Sequence, residues 1–67
     1  MTKIKLHKNT NTVLVYKWMK DMLGNDEVED PYEKLWSIVL YGYTDETYLE
    51  IYKGEPEKIT FAIIRWS

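Results

Sequence analysis

The side chains able to do chemistry are few: one histidine (His7), two serines (Ser37 and Ser67) and no cysteine. No thiol nucleophile exists, and a serine–histidine–carboxylate triad would have to take its base from His7, which local alternation places on the wet face of a strand. The three glycines at 24, 42 and 54 fit helix ends and a turn, with the spacing of neither a phosphate-binding loop nor a dinucleotide fingerprint. Asp26, Glu27, Glu29, Asp30 and Glu33 form the densest carboxylate group, but they lack the alternating ligands and central glycine of a calcium loop. They read as a solvated acidic connector. No catalytic residue, metal site or cofactor is expected, and the chain is read as non-enzymatic.

Binding is the chemistry that remains. Ten of the 67 residues are aromatic, including three Trp and six Tyr, more than one small core can bury with every N–H and O–H paired. Charge is segregated along the chain. Residues 1–20 carry five lysines and no acid, whereas all eleven acids lie within residues 21–57, beside only Lys34 and Lys53. One side of the molecule is then expected to be positive and another negative.

The elements that must position these residues are read from periodicity and local start and stop signals. Residues 2–8 alternate, with Ile4 and Leu6 opposite Lys3, Lys5 and His7, which predicts a strand. The run Asn9-Thr10-Asn11-Thr12 offers N-caps to a helix over 13–23, with Val15, Trp18, Met19, Met22 and Leu23 on one face and Gly24 at its end. Residues 35–43 are rich in β-formers. Asp30-Pro31-Tyr32-Glu33 and Gly42 nevertheless read as the start and stop of a helix, and a second helix is predicted over 31–41.

Residues 47–53 alternate Leu49 and Ile51 against Tyr48, Glu50 and Tyr52, and Gly54-Glu55-Pro56-Glu57 reads as a turn. Residues 59–66 are apolar on both sides, which predicts a central strand pairing Ile51 with Phe61 and Leu49 with Ile63. The expected architecture is one α+β domain over residues 1–67: a small two-layer fold of β-α-α-β-β order, with a three-stranded antiparallel-type sheet and two helices on one face.

This arrangement exposes a sheet face carrying Tyr48, Tyr52, Ile64 and Trp66, with Lys3, Lys5 and His7 at one side. The expected function is a small protein-binding module, an inhibitor or adaptor of the kind that viruses and mobile elements encode. It would act through that aromatic face or through the acidic connector at Asp26, Glu27, Glu29 and Asp30. Ile64 and Trp66 are also candidates for a homodimer seam. The alternative is nucleic-acid binding, with Lys3, Lys5 and His7 meeting phosphates and the tyrosines stacking on bases of a single strand. The expected order with a loop over 54–58 also resembles the helix-turn-helix and wing of winged-helix proteins, and that resemblance implies duplex DNA binding by residues 31–41. Those residues offer only Lys34 against Glu33, so nucleic acid is the less favoured partner. No apolar run is long enough to span a bilayer, and a soluble, cytoplasmic protein with no membrane partner is expected.

Overall fold

The alternation at the start of the chain forms a strand in the computed structural model, which describes residues 1–24 and 33–67. Strand β1 (Thr2–Lys5) turns Ile4 inward and leaves Lys3 and Lys5 outside. Helix α1 (Thr12–Leu23) follows, capped by Asn11, whose side-chain oxygen accepts from the Val13 N–H at 3.0 Å. That bond satisfies a donor that the helix itself cannot. The helix stops at Gly24, where φ is 104° and ψ 179°, a backbone region nearly closed to residues with a Cβ.

Two strands, β2 (Trp36–Tyr41) and β3 (Glu46–Ile51), and a second helix, α2 (Pro56–Trp66), complete the fold. The α+β class, the three-stranded antiparallel sheet and the two helices agree with the sequence reading. The order is β-α-β-β-α, and the sheet runs β1-β3-β2. Two segments therefore exchange the expected structures. Within the helix predicted over 31–41, residues 36–41 are a strand, because Trp36 and Ile38 alternate with Ser37 and Val39 and pair with Ile51 and Leu49 of β3. The strand predicted over 59–66 is helical, because Pro56 occupies the first turn and Ile59, Ala62 and Trp66 fall on one helical face. The middle strand is accordingly β3, and the Ile51–Phe61 and Leu49–Ile63 pairings do not form. With residues 36–41 extended, the winged-helix likeness loses the helix that would read DNA.

One core joins the described elements. Ile4, Leu6, Trp36, Leu49 and Ile51 from the sheet side meet Val15 and Met19 of α1 and Ala62 and Trp66 of α2, so both helices cover the same sheet face. Trp36 is its largest fully buried side chain, and its indole N–H donates to the Gly24 carbonyl at 2.9 Å. The ring of Tyr16 meets Trp36 edge-on at 5.5 Å, and Trp18 meets Trp66 likewise at 5.9 Å. No helix among the described residues is long and apolar enough to cross a membrane.

Candidate functional site

None of the described helices covers the second face of the sheet. In the middle strand Glu50 pairs with Lys3 on one side and Ser37 on the other, and Tyr48 with Lys5 and Val39, which brings Lys3, Lys5, Tyr48 and Glu50 together on it. Tyr41 and Glu46, paired across the β2–β3 hairpin, extend the face at one end. Tyr52 extends it at the other, beyond β3, where its backbone N–H donates to the Leu35 carbonyl at 2.7 Å.

These side chains hold one another. Glu50 accepts from the Tyr41 hydroxyl and from the Tyr52 hydroxyl, each at 2.8 Å and each on a different carboxylate oxygen. Glu46 accepts from the Tyr48 hydroxyl at 2.6 Å and pairs with the Lys5 ammonium at 3.1 Å. The Lys3 ammonium lies 4.5 Å from the Tyr41 ring centre and 4.6 Å from that of Tyr48, and the two rings meet edge-on at 5.1 Å. Two ammonium groups thus face two carboxylates, and the four charges of this network balance.

The ionisation of the network follows from these contacts. The Tyr48 and Lys5 side chains hold the Glu46 carboxyl below its ordinary range, and the Tyr41 and Tyr52 hydroxyls do the same for Glu50. The bond to Glu46 raises the Tyr48 hydroxyl, and burial followed by Glu50 raises that of Tyr52. Lys3 is raised chiefly by Tyr41, and Lys5 by Glu46. Around neutral pH Glu46 and Glu50 therefore stay ionised as acceptors, Lys3 and Lys5 stay charged, and Tyr48 and Tyr52 stay protonated as donors.

Four of the expected residues, Lys3, Lys5, Tyr48 and Tyr52, do lie together on the open face. His7 lies past the end of β1, where it lines a cleft of about 340 Å³ with Lys8, Asp45 and Glu46. Ile64 and Trp66 are not on this face, because residues 59–66 belong to α2 on the other side of the sheet: Trp66 is part of the core, and Ile64 is exposed on the outside of the helix. The proposed acidic connector, Asp26, Glu27, Glu29 and Asp30, lies outside the described residues. Tyr41, Glu46 and Glu50 were missed as members of the site. The alternation of Ser37, Val39 and Tyr41 against Trp36, Ile38 and Leu40 carried the signal for Tyr41, at the period of a strand.

Comparison with protein-family models, with curated proteins and with solved structures finds no match.

Proposed function

We propose that the chain is a small protein-binding module of the cytoplasm, acting as an inhibitor or adaptor, whose recognition surface is the open sheet face at Tyr41, Tyr48 and Tyr52. The observation that supports this most is that all three hydroxyls are tied to carboxylates while their rings stay on the sheet face away from the helices. Tyrosine brings a large contact area with few rotatable bonds, and it is enriched among residues that dominate protein interfaces. Side chains immobilised on binding lose conformational entropy, so rings held beforehand lower the cost of association. The β-sheet beneath supplies a rigid base.

The same contacts favour a protein over an oligonucleotide. Lys5 is engaged by Glu46, Lys3 rests on two rings that would otherwise stack on bases, and two carboxylates stand where phosphates would have to approach. Binding that draws its affinity from phosphate contacts weakens steeply with salt, because condensed counterions are released. The test is differential capture from the cells that carry the protein. A Tyr48→Ala/Tyr52→Ala variant is compared with wild type after nuclease treatment, both forms being checked for native circular dichroism. We expect a discrete protein retained by wild type and lost by the variant. Nuclease-sensitive material, or equal retention by both forms, contradicts the reading.

A further inference from the structure

Helix α2 carries a second surface, independent of the tyrosine face. Its buried side is Ile59, Ala62 and Trp66. On its outer side Phe61 is 53% exposed and Ile64 73%, large apolar side chains that nothing among the described residues covers. Glu57, Phe61 and Arg65 stand at i, i+4 and i+8, one above another along the helix, and both charges are exposed. No ion pair to Glu57 or Arg65 forms among the described residues, and the Arg65 guanidinium lies 4.3 Å from the centre of the Trp66 ring.

This stripe is complementary to itself. Turned about a two-fold axis through Phe61, a second copy places its Arg65 opposite Glu57 and its Glu57 opposite Arg65, with the two Phe61 rings between them and Ile64 beside the stem of the other Lys58. A two-fold contact requires the same patch on both partners, and a stripe of acid, aromatic and base meets that requirement only when the helices run antiparallel. Antiparallel packing also sets the positive end of each helix dipole beside the negative end of the other. We propose that the chain pairs with a second copy of itself through an antiparallel α2–α2 contact centred on Phe61.

The contact is weak by its size. A standard interface takes about 800 Å² from each partner, a large share of the 4993 Å² that this chain exposes. An 11-residue helix spans about 16 Å and offers less than that area. The dimer is accordingly expected at concentrations of about 0.1 mM and above, with the charges setting orientation more than affinity.

Charge reversal tests the geometry. Sedimentation of wild type from 10 µM to 1 mM at low salt should reveal a monomer–dimer equilibrium, and Phe61→Ala should weaken it about tenfold. Glu57→Arg and Arg65→Glu should each weaken self-association about tenfold, since each presents like charges across the axis. Mixed in equal amounts, the two reversed variants should form a heterodimer within about threefold of the wild-type affinity, because each repels itself and complements the other. All three positions are exposed, and circular dichroism checks that the variants keep the fold. A wild type that stays monomeric at 1 mM leaves the stripe to some other partner and overturns the proposal. So do reversed variants that dimerise as wild type does, or a mixture that fails to restore association.

Discussion

Trp36 and Trp66 place the same indole in one core with opposite hydrogen-bonding outcomes, and the single substitution Trp→Phe distinguishes them. The Trp36 N–H reaches the Gly24 carbonyl at 2.9 Å, whereas the Trp66 Nε1 is buried without a partner among the described residues. Trp36→Phe therefore removes a bond worth about 1 kcal/mol and leaves the Gly24 carbonyl short of a donor. At position 66 the same change removes a desolvated, unpaired donor whose burial costs about 1–3 kcal/mol. Loss of ring volume is common to both, and the 8% exposure of Trp66 against 0% for Trp36 gives the outer site more room to relax. Trp36→Phe should be the more damaging by at least about 2 kcal/mol. With unfolding entropy of about 2.1 cal/mol/K per residue over 67 residues, that difference separates the two Tm values by about 14 °C. Thermal and urea unfolding followed by far-ultraviolet circular dichroism measure it. Equal losses, or a greater loss for Trp66→Phe, would refute the two hydrogen-bonding assignments.

Further outcomes follow from the Gly24 cap and the tyrosine face. Gly24→Ala should cost about 1–3 kcal/mol in denaturant unfolding through backbone strain alone, since a Cβ there meets only the Leu35 side chain, at an ordinary 3.7 Å. Glu46 and Glu50, both held below their ordinary value of 4.5, contribute stability that is full above that pH and is lost as the pH falls through their folded values. Tyr48 and Tyr52, raised above 10.0, contribute stability that is full below that pH and is lost as it rises through theirs. Carboxyl carbon shifts should give midpoints below 4.5 for both glutamates, and a midpoint at or above that value would contradict the network.

The legible parts of the fold were those in which one signal spoke alone. In β1 and β3 strict alternation separated Ile4, Leu49 and Ile51 from Lys3, Tyr48 and Glu50, and in α1 the apolar stripe agreed with both the Asn11 and Gly24 caps. Where signals conflicted, tertiary pairing decided. Asp30, Pro31, Glu33 and Gly42 are residue types that punctuate helices, and the part of the predicted helix at 31–32 lies outside the described residues; Trp36, Ile38 and Val39 have shapes that suit a sheet and an alternation that matches the available edge of β3. In residues 59–66 the apolar Phe61, Ile63 and Ile64 outside the core made both faces look buried, which is the pattern of a central strand. The helix was marked instead by Pro56 at its start and by the spacing of Ile59, Ala62 and Trp66. The candidate face survived this exchange because Lys3, Lys5, Tyr48 and Tyr52 belong to the segments read correctly. Ile64 and Trp66 left it because they belong to the segment that was not.

Position-specific photo-crosslinking tests the functional reading most directly. A photoreactive phenylalanine analogue replaces Tyr52 on the open face in one form of the protein and Thr60, exposed on α2, in another, and each is irradiated in extract of the cells that carry the protein after nuclease treatment. A discrete adduct with a different protein is expected from position 52, absent from position 60 and abolished by Tyr48→Ala. An adduct with nucleic acid at position 52, or the same protein adduct from both positions, would contradict it.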